Sequence, residues 1–202
     1  MRVFFLDEAA FGRVWEPKGC WCMKGFRPVV NKMRSTQFCE VYGAVEPAAG
    51  EFFYKTIPPK EPVKKKMGRP KKGEIADSHK KEPKEKGQKS RQFNDFMQKL
   101  CDKYPDDHIM AIGDRAWHHN SQYTVIPDNL TLLFIPPATP EMNPIEQLWR
   151  EIKTSGFHNN YFKTIQETEA QIHATISALP IEKIMSITQR SWIMNMLNSE
   201  SV

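Results

Sequence analysis

The spacing of apolar residues changes period along the chain, and each change predicts a different element. Residues 2 to 6, Arg-Val-Phe-Phe-Leu, read as a strand buried on both faces, with Asp7 at its C-terminal end. Gly12, Pro17 and Gly19 punctuate a turn region. Residues 37 to 45 read as a second strand, Pro47 to Gly50 as a turn, and Glu51 to Thr56 as a third strand. Short turns between sequential strands imply an antiparallel meander. Over residues 57 to 91 the pattern lapses: eleven lysines and several prolines stand among few apolar residues. Such a segment buries too little surface to offset its ordering entropy and is expected to be a disordered insertion.

Periodicity resumes at Phe93. Phe93, Phe96, Met97 and Leu100 share one helical face. Residues 108 to 113, His-Ile-Met-Ala-Ile-Gly, predict a short strand that delivers Asp114 at its end. Leu130 to Ile135 predicts another strand, closed by Pro136 and Pro137. A helix from about Pro144 to Lys153 follows, with Ile145, Leu148, Trp149 and Ile152 on one face. Residues 164 to 198 read as two helices broken at Leu179-Pro180. The expected fold is α/β: a three-strand meander joined to parallel strands in one mixed sheet, flanked by helices, with a helix expected between the last two strands. The chain then divides into a first catalytic-domain part, 1–56, the basic insertion 57–91, and a second part, 92–202. Sites in such sheets form at the C-terminal ends of parallel strands.

Composition excludes several classes. With 202 residues, 40% hydrophobic and 26% charged, the chain suits one sizeable soluble α/β domain. No apolar run approaches the roughly 20 residues of a membrane span, so no membrane partner and a cytoplasmic location are expected; a prokaryotic, nucleoid-associated one is implied only by the resemblance described below. Cys20, Cys22, Cys39 and Cys101 lack the second matched pair of a structural zinc site and read as reduced thiols. The net charge of +5 is uneven: Lys55 to Arg91 holds fourteen Lys or Arg against five Asp or Glu, +9, leaving 5 − 9 = −4 elsewhere. An acidic cation-binding site and a basic polyanion-binding arm would produce this asymmetry.

If the first and fourth strands are neighbours, Asp7 and Asp114 lie side by side, and Glu146 in the first turn of a helix supplies a third carboxylate. Hard divalent cations prefer such oxygen ligands. Each residue also has a plainer reading. A strand-end aspartate is commonly a turn residue or cap. Asn143-Pro144-Ile145-Glu146 resembles a capping box, with Asn143 as N-cap and Glu146 reaching back from the third helical position.

Five blocks carry a further resemblance: Phe4-Phe5-Leu6-Asp7-Glu8, Tyr42-Gly43-Ala44-Val45, Asp114-Arg115-Ala116-Trp117-His118-His119, Leu133-Phe134-Ile135-Pro136-Pro137, and Pro140-Glu141-Met142-Asn143-Pro144-Ile145-Glu146-Gln147-Leu148-Trp149. They resemble the catalytic domain of mariner-superfamily insertion-sequence transposases. The resemblance implies an RNase H-like fold and a metal-binding catalytic triad of Asp7, Asp114 and Glu146. It implies two Mg2+ or Mn2+ ions, with Asn143 and His119 in support. His119 takes the family's histidine place, and His118 stands where the family has an apolar residue. The implied activity is metal-dependent DNA cleavage and strand transfer; the alternative is an inactive DNA-binding derivative. Implied partners are transposon-end and target DNA, a second copy of the chain on that DNA, and a helix-turn-helix polypeptide from an upstream frame.

Within the basic segment, Lys64, Lys65, Lys66, Arg69, Lys71 and Lys72 surround Gly68-Arg69-Pro70, which resembles an AT-hook with Met67 in place of the usual first Arg. Arg in a narrow A·T minor groove is one reading. A non-specific phosphate-binding linker is the other.

Overall fold

The computed structural model describes residues 1–14, 21–26, 35, 37–57, 59 and 87–199, with side chains to 197. Five strands form one sheet: β1 (Arg2–Gly12), β2 (Phe38–Glu46), β3 (Glu51–Ile57), β4 (Ile109–Gly113) and β5 (Leu130–Phe134). Their order is β3-β2-β1-β4-β5. The pairs β1–β2 and β2–β3 are antiparallel, whereas β1–β4 and β4–β5 are parallel. The mixed sheet read from the sequence is therefore present, with β1 in its centre.

Helix α1 (Gln88–Lys103) covers one face. Phe93, Phe96, Met97 and Leu100 bury there against Phe4, Leu6, Tyr42 and Ala111. The other face carries α2 (Ile145–Phe157), α3 (Ile165–Ser177), α4 (Ile181–Thr188) and α5 (Ser191–Ser199). There Val3, Phe5, Phe11 and Val41 pack with Ile145, Leu148, Trp149, Ile152 and Ile172. The continuous apolar run in β1 thus reflects cover on both faces.

Four expectations need correction. β1 does not end at Leu6; it continues to Gly12 as the partner of β2, while its pairing with β4 ends at Phe5 opposite Ile112. The charges at Asp7 and Glu8 interrupt the apolar run without ending the hydrogen bonding, and Ala9 and Phe11 beyond them are buried again. Helix α1 starts at Gln88, not Phe93. Its polar first turn projects largely outward and leaves no apolar periodicity to read, so the segment expected as 57–91 overlaps both β3 and α1. No helix lies between β4 and β5; residues 114–129 form turns. The C-terminal region holds three helices, because a second break falls at Gln189 and Arg190 without proline or glycine to announce it. The insertion residues Lys64, Lys65, Lys66, Arg69, Lys71 and Lys72, together with Cys20, Pro17 and Gly19, lie outside the described residues.

Two glycines set the packing. Gly50 closes the β2–β3 turn at φ 67°, a left-handed conformation glycine adopts without strain. Gly43, opposite Asp7 on β2, lets α2 approach the sheet: a Cβ there would stand 2.5 Å from the Trp149 ring. Among the described residues, no helix is long and apolar enough to cross a membrane.

Candidate active site

Alternation along β1 sends neighbouring side chains to opposite faces. Phe5, Ala9 and Phe11 belong to the α2 side and Phe4 and Leu6 to the α1 side, so Asp7 faces α2 and Glu8 faces α1. The parallel register pairs Phe5 with Ile112. Extended by two residues, it sets Asp7 beside Asp114, just past the end of β4. Glu146 comes from the first turn of α2. It shares with Asp7 an open cleft of about 380 Å3, also lined by Trp149, Arg150, Lys153 and His158. Glu146, Arg150 and Lys153 stand at i, i+4 and i+7, so one helical face presents both a carboxylate and two cations to the cleft.

Asn143 ties α2 to the sheet. Its buried side-chain amide donates to the Leu6 carbonyl at 2.8 Å, one residue before Asp7, and its Oδ1 accepts from the Ile145 N–H at 3.4 Å. The expected capping box is not formed. α2 begins at Ile145 with Pro144 in the N-cap position and no side-chain cap. The Asn143 N–H is taken by the Pro140 carbonyl of a short 3-10 turn, Pro140–Met142, at 2.9 Å. With that donor occupied, the Glu146 carboxylate has no N–H of Asn143 to accept and faces the cleft.

Asp7 and Glu146 both respond to neighbouring carboxylates. Burial pushes the Asp7 carboxyl up to about 7; the charge of Glu8 adds to this, a backbone hydrogen bond opposes it, and Glu146 and Asp114 raise it further. Glu146 is also raised, by burial first, then by Asp114 and Glu141 against the opposing pull of Arg150. Lys153 is lowered by burial, with Asp7 acting the other way. A buried carboxylate beside two others has little protein counter-charge, and an oxygen-only donor set of this kind suits a hard divalent cation.

On the far side of β1, Glu8 meets a different environment. Its Oε1 accepts from His118 Nε2 at 2.9 Å and from His119 Nε2 at 2.8 Å. Burial acts to raise this carboxyl, but the two imidazole bonds and their charge outweigh it and hold it at about 2. His119 Nδ1 lies 2.9 Å from the Asp114 carbonyl and 3.0 Å from Asp114 Oδ1. Both histidines are buried, and Phe93 packs 4.2 Å from the His119 ring centre. His119, but not His118, therefore touches Asp114, one of the three candidate carboxylates.

Sequence reasoning missed Glu8, Arg150 and Lys153. The signals were available: strand alternation sends Glu8 to the face opposite Asp7, and helical spacing from Glu146 reaches Arg150 and Lys153. The histidine contact, which joins residues 110 and 111 positions apart, left no local trace.

Residues 81–169, which include Asp114 and Glu146, match a family described as DDE superfamily endonuclease. The fold is similar to that of the Mos1 transposase in its pre-cleavage transpososome (14% identity, TM-score 0.62, 93% of this chain and 52% of that one). It is also similar to the mariner Mos1 paired-end complex with Mg (14% identity, TM-score 0.63, 93% and 51%). An uncharacterized protein of Sinorhizobium fredii, y4pE/y4sA, is 36% identical over 87 residues, 42% of this chain and 64% of that protein. The chain thus spans just under two thirds of this relative and about half of the Mos1 transposase. Residues 81–169 thus resemble DDE superfamily endonucleases, and the chain has the RNase H-like fold of the Mos1 transposase.

Proposed function

We propose that this domain cleaves DNA at transposon ends and transfers the released strand, using Asp7, Asp114 and Glu146 as the ligands of two divalent ions, Mg2+ or Mn2+. The observation that carries this reading is the placement of Asp7 and Glu146 on one open cleft, with Asp114 beside Asp7 in the extended β1–β4 register; burial and the neighbouring carboxylates raise the Asp7 carboxyl. Bound there, a metal pair would polarise the scissile phosphate and stabilise the oxygens that enter and leave. Asn143 and His119 support the triad, the first through the Leu6 carbonyl and the second through Asp114. Arg150 and Lys153 flank the carboxylates on α2, where a DNA phosphate entering the cleft meets positive charge.

Water is the nucleophile for strand cleavage. The 3′-hydroxyl so released then attacks a phosphodiester of the target and displaces its 3′-oxygen, giving one new bond for each bond broken and no covalent protein intermediate. The basic residues Lys64, Lys65, Lys66, Arg69, Lys71 and Lys72 provide a separate polyanion-binding arm. The partners are transposon-end and target DNA, a second copy of the chain, and an upstream-frame helix-turn-helix polypeptide that recognises the ends. Mos1 transposase forms paired-end complexes, including one with a left transposon end and others with Mg or Mn. Asp7 and Glu146 on one open cleft, with Asp114 close enough to raise the Asp7 carboxyl, favour an enzyme over an inactive DNA-binding derivative.

The test is to incubate purified protein with duplexes bearing the terminal inverted repeats and Mn2+, with and without the upstream-frame polypeptide. Metal-dependent nicks at the repeat boundary are the expected product. Equal cleavage in EDTA would overturn the metal-dependent mechanism. No cleavage with the polypeptide present would return the protein to the DNA-binding class.

A further inference from the structure

We infer that Glu8 is a positioning residue for metal binding: through His119 it fixes the orientation of Asp114. This rests on the assignment of Asp114 as a metal ligand. Asp114 stands just beyond the last residue of β4, in a loop, and is 53% exposed. No strand hydrogen bonding holds its side chain. What holds it is local: the Ala116 N–H donates to its Oδ1 at 3.1 Å, and His119 Nδ1 approaches the same oxygen at 3.0 Å.

His119 can perform this task because its other nitrogen is anchored. A carboxylate and a carbonyl accept hydrogen bonds and cannot donate them. With Glu8 Oε1 at Nε2 and the Asp114 carbonyl and carboxylate at Nδ1, the imidazole donates from both sides. Its ring plane is set by Glu8 below and by the Phe93 ring packed against it. Glu8 is itself rigid, because β1 pairs with β2 on both sides of it. The order carried by the sheet thus reaches a loop carboxylate in two steps: the hydrogen bond between Glu8 and His119, then the 3.0 Å ion-pair contact of His119 with Asp114 Oδ1. Outer partners that hold a metal ligand in this way commonly contribute 10–100-fold in affinity or activity.

The same three side chains, Glu8, His118 and His119, have ligand atoms within 4.8 Å of one another, close enough for a metal ion of their own. His118 argues against that use. A histidine bound to metal through Nε2 carries its proton on Nδ1 and nearly always donates it. His118 Nδ1 is buried without a hydrogen-bond partner among the described residues. The Nε2–H tautomer, donating to Glu8, leaves there only an unpaired acceptor. His118 braces Glu8 without touching Asp114, and so serves as the control.

The experiment titrates Mn2+ alone into the purified chain and counts unbound Mn2+ by electron paramagnetic resonance. Glu8→Ala and His119→Gln should each weaken Mn2+ binding at least tenfold. His119→Asn, whose amide can keep the bond to Asp114 but loses Glu8, should fall between wild type and His119→Gln. His118→Asn should stay within about threefold of wild type, as its loss leaves the His119 link whole. Thermal unfolding without metal reports folding separately. A lowered Tm with unchanged Mn2+ affinity in both folded Glu8→Ala and His119→Gln would make the contacts purely architectural and overturn the proposal. If Glu8→Ala does not fold, His119→Gln decides alone. Asp114→Asn separates the two readings. If it binds Mn2+ as wild type does, the ligand assignment fails. If it loses Mn2+ while the Glu8 and His119 variants keep it, only the positioning role fails.

Discussion

On one face of β1, Asp7 meets other carboxylates and a partly buried lysine; on the other, one residue later, Glu8 meets two imidazoles. The first carboxyl is raised to about 7 and the second lowered to about 2, although burial raises both. The difference lies in the counter-charge. Glu8 has its partners within the protein, and its role is finished when the chain folds. Asp7 faces Glu146 and Asp114 with Lys153 as its nearby cation, so a cation from solution would relieve it. Two adjacent acidic residues therefore divide the work proposed for them: one braces its neighbours, and the other would hold a cation.

The sharpest way to break this division is Asp114→Asn. Removing a ligand charge takes away several kcal/mol of transition-state stabilisation, so Mn2+-dependent nicking should fall by roughly three orders of magnitude. DNA binding measured by gel shift should be little changed. Cleavage within tenfold of wild type would remove Asp114 from the site.

The two carboxyls should also respond oppositely to pH in metal-free protein. The folded value of Asp7, about 7, lies above its ordinary 3.8. Its charge therefore costs stability progressively as pH rises from 3.8 to 7, and the cost is constant above. At 1.36 kcal/mol per unit the upper limit is about 4 kcal/mol. Asp7→Asn should accordingly stabilise the EDTA-treated protein at pH 8 by up to about 4 kcal/mol and be nearly neutral at pH 4, as read by urea unfolding. Glu8, held at about 2 against an ordinary 4.5, contributes stability above 4.5 that is lost as pH falls towards 2. Glu8→Gln should therefore destabilise at pH 7 by about 2 kcal/mol, the scale of hydrogen bonds to a charged group. Mutants with the same sign of effect at pH 7 to 8 would erase the contrast.

A packing change tests whether the cleft needs α2 close to the sheet. Gly43→Ala would place a methyl within 2.5 Å of Trp149. Overpacking of this kind costs about 2 kcal/mol. Because Trp149 shares a turn of α2 with Glu146, the variant should also weaken Mn2+ binding; unchanged binding would show that the helix end moves independently. The smallest effect belongs to the basic segment. Arg69→Ala should lower the slope of log affinity against log salt by about 0.9 for one lost phosphate contact. A larger loss on A·T-rich than on G·C-rich duplex would distinguish minor-groove binding from a non-specific linker.

Much of this architecture was legible in the residue pattern, because strands with two covered faces and helices with one leave distinct periods. The Phe93, Phe96, Met97, Leu100 stripe and the Ile145, Leu148, Trp149, Ile152 stripe both bury as their spacing requires. The position of Asp7 was misread as a strand end because composition records which faces are covered, whereas β1 continues through its backbone pairing to β2. The start of α1 was missed for the reverse reason: Gln88 to Gln92 are helical without an apolar stripe. The triad positions came from the resemblance, while Glu8 is paired with its histidines only by tertiary structure.

The parallel pairing of β1 with β4 joins Arg2 to Ile109 and Phe5 to Ile112, partners 107 residues apart. Every ligand of the proposed metal pair except Asp7 lies beyond that crossing. A nascent chain emerging from the ribosome must therefore expose β4 before Asp7 and Asp114 can meet, and expose Glu146 later still. Contacts of such long separation form slowly. The proposed metal site thus cannot assemble until the chain beyond β4 and into α2 has been made. The entropy of closing that long loop grows only logarithmically with length, about 0.6 kcal/mol per doubling. Evolution can therefore lengthen or shorten the stretch between β3 and α1 with little thermodynamic penalty to the site.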